Sequence, residues 1–332
     1  MAALQRFLQL EHRRRRRIQT VYINAYIRTH FTPLDALSDD AILRKFRLPR
    51  NKILDLLEIV KPHLQRATRR NYALSPAVQL LATLRFYAVG SFMEVVGDGL
   101  GLSKSSVSKT VTAVTPLLLQ LIKDSLIFPQ TPEEIRQANQ HLHSIASIPR
   151  VIGIVDGTLI PVASPVANES LYICRKGYPA INVQIICNHQ GMFTDIVAKW
   201  PGSTHDSFVW ANSAICQVAE EGGFGDSWLL GDSGYPLRPY LITPVQHPAT
   251  NAEEMFNQAH VRTRSTVERT IGLWKQRYRC ISKSCGGLKL NPSKSCSQAV
   301  LDQGQEDHKG LSHTNNRFLT EESAVVCCRT RP

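Results

Sequence analysis

The stretch VIGIVDGTLIPV, residues 151–162, is where the sequence first indicates a β-sheet. Two apolar runs, Val151–Val155 and Leu159–Val162, flank the pair Asp156-Gly157, and each run predicts a short strand. Hydrophobic periodicity outside this stretch predicts further strands and helices. These are strands at Ile181–Cys187, Met192–Lys199 and Trp228–Leu230, and helices at Ser207–Glu220 and Glu253–Arg279. Strands followed by helix, strand and helix predict an α/β domain.

The sequence before this domain is helical in pattern. Apolar residues recur at i, i+3 and i+4 in four segments, and a polar stretch punctuated by Pro129, Pro132 and Pro149 follows them. The four segments are Ala41–Phe46, Lys52–Leu64, Ser75–Gly90 and Val107–Leu126. We therefore predict a helical domain over residues 41–148 and an α/β core over residues 149–296.

The segment Ser91–Val114 has the layout of a helix-turn-helix. A glycine-rich stretch follows a short first helix, and Ser103 is placed to cap a second helix. Lys104 and Lys109 lie near the start of that second helix, where a recognition helix meets DNA. An ordinary pair of antiparallel helices has the same pattern, so both interpretations stay open.

The charge of the chain predicts a polyanionic partner. The 332 residues hold 39 Lys or Arg against 27 Asp or Glu, a net charge of +12. Such an excess favours nucleic acid or an anionic membrane surface as partner. No stretch of 18 apolar residues occurs, so we expect no transmembrane helix. The eight cysteines form no C-x-x-C pair, which argues against a zinc finger and favours free thiols in a reducing compartment.

The N-terminal arm, residues 1–40, contains five consecutive arginines, Arg13–Arg17. Such a run is typical of a nuclear localisation signal or an arm that contacts DNA. A solvated helix face or a frayed terminus is the alternative.

Four acidic residues have contexts that suggest a site. Asp156 ends VIGIVD, Asp206 lies in PGSTHD, Asp232 ends WLLGD, and Glu268 lies within STVERTIGLWKQRYR. Each alone has a simple structural explanation: a turn for Asp156 and Asp232, a helix cap for Asp206, and an ion pair with Arg264 for Glu268.

Together the four acids are better explained by a metal ion. Asp156 and Asp232 both follow apolar strands, and open α/β sheets bind their ligands at the carboxyl ends of strands. Converging carboxylates repel one another unless a cation lies between them. Mg²⁺ prefers such oxygen ligands, and a pair of ions about 4 Å apart is suited to phosphodiester hydrolysis.

The predicted helix that carries Glu268 also suggests DNA binding. At 100° per residue, Glu268 falls within a basic stripe beside an apolar face made by Val267, Ile271, Trp274 and Tyr278. We predict that cations of this stripe contact DNA phosphates, and that Gly272 lets a backbone approach closely. The predicted phosphate-binding cations of the stripe are Arg264, Lys275 and Arg279.

Four ordered motifs, VDGTLIPV, PGSTHDS, LLGDSGYPL and VERTIGLWKQRYR, resemble the DDE endonuclease domain of the PIF/Harbinger transposase family, including its domesticated vertebrate members. The resemblance covers residues 40–296. It implies an RNase H-like catalytic core, a mixed sheet flanked by helices, behind an all-helical N-terminal domain.

The resemblance also implies a catalytic centre. A divalent cation, Mg²⁺ or Mn²⁺, would be held by Asp156, Asp206, Asp232 and Glu268. Asp156, Asp232 and Glu268 would form the catalytic triad of a two-metal hydrolysis of DNA, with Asp206 as an additional ligand. His205 would orient a water molecule or touch a phosphate, or it is a surface histidine.

Family relatives are nuclear and act with a separate Myb/SANT-like DNA-binding protein. The resemblance therefore implies that partner and a nuclear location, with the cytoplasm as a second one. The alternative function is a catalytically idle DNA-binding adaptor, and an active transposase is a third candidate. Residues 297–332 depart from the family, because they are polar where the core usually closes with an apolar helix, and we predict a disordered tail there.

Overall fold

The computed structural model describes residues 33–65, 73–123, 126–163, 169–283 and 288–289. The arginine run Arg13–Arg17 and the predicted tail, residues 297–332, lie outside the described residues. The chain divides into two compact units between Leu118 and Leu119. This division lies 30 residues before the domain boundary expected at residue 148.

The first unit is built from helices, as the periodicity predicts. Ser75 caps one of them by accepting a hydrogen bond from the Val78 amide, and Gly90 ends it in the left-handed conformation with φ of 62°. The helices are α1 (Pro33–Ala36), α2 (Asp39–Phe46), α3 (Arg50–Leu64), α4 (Pro76–Val89), α5 (Met93–Asp98) and the start of α6 (Lys104–Lys123).

The α5 and α6 helices occupy the segment predicted as a helix-turn-helix. A Cβ atom at Gly97 would lie 2.3 Å from the Leu102 carbonyl oxygen, so the connection is closed tightly at a glycine. Both Lys104 and Lys109 are exposed on α6. Ordinary helix pairs share this geometry, and DNA contact by the two lysines stays a prediction.

The second unit contains a mixed β-sheet, as expected for an α/β core. Its strand order is β3-β2-β1-β4-β5, with β1 antiparallel to β2 and parallel to β4. The strands are β1 (Val151–Ala163), β2 (Ala180–Cys187), β3 (Phe193–Pro201), β4 (Trp228–Leu230) and β5 (Leu241–Ile242), and β6 (Leu288–Lys289) pairs with the end of β1.

Helices accompany both faces of this sheet. One face, which carries Val155 and Ile186, packs against Trp210 and Ile215 in a buried apolar cluster. The longest helix contacts β1 on the other side through buried residues that include Trp274, whose ring meets Phe193 edge-on at 5.5 Å. The helices are α7 (Pro132–Ala146), α8 (Glu169–Tyr172), α9 (Asp206–Ala211), α10 (Ala214–Glu220) and α11 (Asn251–Arg277).

Helix α7 packs against β1 and α11, whereas the sequence grouped it with the helical domain. A capping box between Thr131 and Glu134 begins the helix, and Leu142 is buried along it. Most of the polar stretch between Pro129 and Pro149 is therefore a helix of the second unit and not a linker between domains. Among the helices of the described ranges, none is long and apolar enough to cross a membrane.

Three local predictions are corrected. The pair Asp156-Gly157 is not a turn: β1 continues through it, because β2 pairs with β1 from Ile154 to Pro161. The helix expected over Ser207–Glu220 is two helices, since Ser213 caps a new one. The long helix ends at Arg277, so Arg279 lies in a following 3-10 turn and not on its basic stripe.

Candidate active site

The described part of β1 has an open edge beside Asp156. The last described β4 pairing is Ile154 with Leu230, and β6 first pairs at Val162. Between these points no described strand pairs with this edge of β1, while β2 pairs with the other edge. Asp156 thus lies on a strand that pairs with β2 along one edge, while side chains of α11 bond to Asp156 and to the Leu159 carbonyl.

Asp156 and Glu268 meet at one guanidinium. Arg264 Nη2 donates to Asp156 Oδ1 at 3.1 Å, and Arg264 Nη1 lies 3.3 Å from Glu268 Oε1. The side chains of Asp156 and Arg264 are 15% and 13% exposed, whereas that of Glu268 is 56% exposed. The ion pair suggested between Glu268 and Arg264 therefore exists. The same guanidinium also bonds to Asp156, so it links Glu268 to a residue 112 positions earlier in the chain.

Asp206 lies against Gly157, the neighbour of Asp156 in β1. A Cβ atom at Gly157 would lie only 2.3 Å from Asp206 Oδ1, so the strand leaves room for this carboxylate. Asn182 in β2 donates to the same oxygen at 2.7 Å and also to the Thr204 carbonyl at 2.9 Å. Asp206 is the first residue of α9 and not its cap, because His205 holds the capping position without a side-chain hydrogen bond.

Asp232 follows β4 directly, as the sequence predicts. Its Oδ1 atom accepts a 2.9 Å hydrogen bond from the Gly234 amide, which turns the carboxylate back over its own loop. A Cβ atom at Gly234 would lie 3.0 Å from Asp232 Oδ1 and 3.5 Å from Asp206 Oδ2. Gly234 therefore marks the place where these two carboxylates approach one another.

The pKa of Asp156 shows how the acids act on one another. The pKa of Asp156 is raised to about 6, chiefly by burial; the charge of Arg264 opposes the rise, and the negative charges of Asp232 and Glu268 add to it. The pKa of Lys275 falls to about 8, chiefly through burial and then through the charge of Lys176. The site thus holds negative charge that its single bridging arginine compensates only in part.

The donor set fits a hard divalent cation in its chemistry. Four carboxylates supply oxygen ligands of the kind that Mg²⁺ and Mn²⁺ prefer. Within the described ranges, however, no three His, Cys, Asp or Glu side chains stand close enough to hold a metal ion. Glu268 would have to turn from Arg264 to join the other ligands.

The predicted DNA contacts have different surroundings. Arg264 is largely buried between carboxylates, and Lys275 Nζ donates to the Leu159 carbonyl at the edge of β1 at 2.8 Å. Arg279 and His205 are exposed. A Cβ atom at Gly272 would meet no described atom within 4 Å, which overturns the expected close backbone approach.

Sequence reasoning missed three residues of the site. Asn182 orients Asp206, Gly157 makes room for it, and Tyr235 places a buried hydroxyl in the neighbourhood of the acids. A polar residue within the apolar run Ile181–Cys187 was the available signal for Asn182. Nothing comparable marked Tyr235, because Asp206 and Asp156, whose charges act on its hydroxyl, come from distant segments of the chain.

Comparison with known proteins gives a consistent result. Residues 155–301 match the family described as "DDE superfamily endonuclease". The mouse protein named "Putative nuclease HARBI1" is 36% identical over 268 residues, 81% of this chain and 76% of its own length. Its human counterpart is 36% identical over 79% of this chain and 75% of its own, and that of Xenopus laevis is 32% identical over 81% and 77%. No solved structure matches the chain significantly.

Proposed function

The chain belongs to the harbinger transposase-derived nucleases of the DDE endonuclease superfamily, and from this premise we propose that it is a metal-dependent DNA endonuclease. Asp156, Asp232 and Glu268 form the catalytic triad, and Asp206 is a further metal ligand. The mixed sheet, with β1 at its centre, supports an RNase H-like core for this centre.

The observation that carries the proposal is the meeting of acids from four separate segments. Arg264 bridges Asp156 and Glu268, and Gly234 adjoins both Asp206 and Asp232. Neighbouring carboxylates, of which Asp156 is largely buried, destabilise a fold unless cations balance their charge, so a purely structural role explains the arrangement poorly. We infer that Mg²⁺ or Mn²⁺ supplies the missing positive charge.

The chain's own residues would prepare the centre for hydrolysis. Asn182 and the Gly234 amide hold Asp206 and Asp232 in fixed orientations, and Arg264 keeps Asp156 and Glu268 close together. A bound divalent ion would activate water and stabilise the leaving 3′ oxygen. Because β1 pairs with β2 from Ile154 to Pro161, on both sides of Asp156 along the strand, Asp156 would keep its position during the reaction.

Cations near the open edge of β1 would bind the DNA backbone. Lys275 lies there, and Lys176 is near enough for its charge to lower the pKa of Lys275. Lys283 Nζ lies 4.6 Å from the centroid of the Tyr178 ring, and Tyr178 belongs to the turn that contains Lys176. Lys104, Lys109, Arg264 and Arg279 are the other proposed DNA contacts.

The proposal extends to location and partner. We propose that the protein acts in the nucleus, with the cytoplasm as a second location, together with a Myb/SANT-like DNA-binding protein that supplies sequence recognition. An idle adaptor of the same fold is the second candidate function, and the retained group of four acids disfavours it.

A plasmid-nicking assay tests the proposal. We expect the purified protein to nick supercoiled DNA with Mg²⁺ or Mn²⁺ and not with excess EDTA, and Asp156→Ala and Asp232→Ala to reduce nicking to background. Asp226→Ala is the matched control, because Asp226 is an exposed acid on the loop before β4. Equal nicking by wild type and Asp156→Ala would refute the nuclease, and metal-independent DNA binding without nicking would establish the adaptor.

A further inference from the structure

The hydroxyl of Tyr235 is buried without a partner. The residue is 4% exposed, and its hydroxyl oxygen has no hydrogen-bond partner among the described residues. Its ring packs in the apolar cluster, edge-on to Trp210 with ring centroids 6.4 Å apart. A phenylalanine would fill the same space without this penalty, so packing alone does not explain why the side chain is a tyrosine.

The surroundings of this hydroxyl are the carboxylates of the proposed site. Burial raises the pKa of Tyr235 well above its ordinary value, and the negative charges of Asp206, Asp156 and Asp232, in that order, add to the effect. Arg264 opposes them. The hydroxyl therefore lies near the acids, and the charge of Asp206 acts on it most strongly of the three.

The two oxygens of Asp206 have different contacts. Its Oδ1 atom accepts from Asn182, whereas its Oδ2 atom is the one nearest to a Cβ position at Gly234, the residue before Tyr235. Among the described residues, the hydrogen-bond donor to this carboxylate is Asn182, which reaches its Oδ1 atom. A second donor on the Oδ2 side would fix the plane of the carboxylate and leave lone pairs on both oxygens for a metal ion.

We propose that Tyr235 is a positioning residue: a small shift of Asp206 brings its Oδ2 atom to the unpartnered Tyr235 hydroxyl, which then donates to it and orients this carboxylate for metal binding. The inference rests on the proposed function, because it assigns Asp206 to the metal. Asn182 and Tyr235 then hold Asp206 from two sides, from β2 and from the loop after β4. Removing the hydroxyl weakens metal binding without weakening the metal-free fold.

The test compares Tyr235→Phe with wild type by Mn²⁺ titration calorimetry and by thermal unfolding of the metal-free protein. We expect Mn²⁺ affinity to fall about 10- to 100-fold, while the metal-free Tm stays equal or rises. Tyr240→Phe is the matched control, since the Tyr240 hydroxyl donates to Glu220 and its ring adjoins the same apolar cluster. We expect its Mn²⁺ affinity to equal that of wild type.

A double-mutant cycle identifies the partner of the hydroxyl. If Tyr235 acts through Asp206, Tyr235→Phe has no further effect on Mn²⁺ affinity in an Asp206→Ala background. Mn²⁺ affinity of Tyr235→Phe within twofold of wild type overturns the inference, as does a fall of metal-free Tm that accounts for the loss of binding. Absence of Mn²⁺ binding by wild type refutes the proposed function itself, which is a separate outcome.

Discussion

Replacing Gly157 with alanine would put a methyl group into space that Asp206 occupies. The new Cβ atom would lie 2.3 Å from Asp206 Oδ1 and 2.7 Å from its Cγ atom. The backbone at Gly157 does not have the positive φ that alanine disfavours, so the substitution introduces a steric conflict without backbone strain. The perturbation is therefore directed at a single carboxylate.

The size of the effect follows from the displacement. An ordinary contact at this point is about 3.4 Å, so Asp206 has to move by about 1 Å. Overpacking of this kind costs about 1–3 kcal/mol of folding free energy. A 1 Å misplacement in a catalytic centre lowers the rate by about 100-fold, which is the expected loss of DNA nicking.

Two control variants make the outcome decisive. Gly272→Ala in α11 meets no described atom and should raise stability, by about 1 kcal/mol in urea denaturation. In an Asp206→Ala background, Gly157→Ala should lose most of its folding cost, because the carboxylate it collides with is gone. A Gly157→Ala protein that folds with wild-type stability and nicks DNA at the wild-type rate would refute the placement of Asp206 beside β1.

Three further outcomes are expected. Burial raises the pKa of Asp195 to about 6, so ionisation of this carboxyl costs folding free energy increasingly as the pH rises from about 4 to about 6, and in full above that. Asp195→Asn should therefore stabilise the protein by about 3 kcal/mol at pH 8 and by little near pH 4; urea denaturation at both pH values checks this, and an equal gain at pH 4 would contradict it. Neutralising Arg175 and Lys176 with glutamine should reduce the salt dependence of DNA binding by about two phosphate contacts, measured by fluorescence anisotropy in EDTA, whereas Arg136→Gln with Arg238→Gln should change it less. Thr250→Ala should remove the capping box of α11 and destabilise the fold by about 1 kcal/mol in urea without altering Mn²⁺ affinity; a loss of Mn²⁺ binding would show that the start of α11 supports the site.

The elements of the core were largely predictable from the sequence. Local signals such as Ser75 with Pro76, or the run Ile181–Cys187, depend on nearby residues, and the structure confirms the helix and the strand that they indicate. The Asp156-Gly157 pair misled the prediction, because a turn signal was overridden by continuous pairing with β2. Tertiary pairing decides the structure there, and it is not visible in a local pattern.

The candidate metal ligands of the site could be predicted from the sequence, but the residues that position them could not. Acids that follow apolar strands or lie in basic helices stand out in a sequence, as Asp232 and Glu268 did. Asn182, 24 residues before Asp206, donates to its carboxylate, and Tyr235, 29 residues after it, is close enough for the charge of Asp206 to raise its pKa. Their roles depend on register and packing, which single-residue patterns do not encode.

The pairing of β1, the strand that carries Asp156, limits which parts of this site can open without unfolding of the whole unit. Eight of the thirteen residues of β1, Ile154–Pro161, pair with β2 at the centre of the sheet, so the amide hydrogens that are bonded to β2 should exchange with solvent only when the whole unit unfolds. Asp206, by contrast, begins a helix of six residues that can fray by itself. Deuterium uptake should therefore be slow around Asp156 and fast around Asp206. The last step in forming the site would then be the docking of α9 onto a sheet that is already folded.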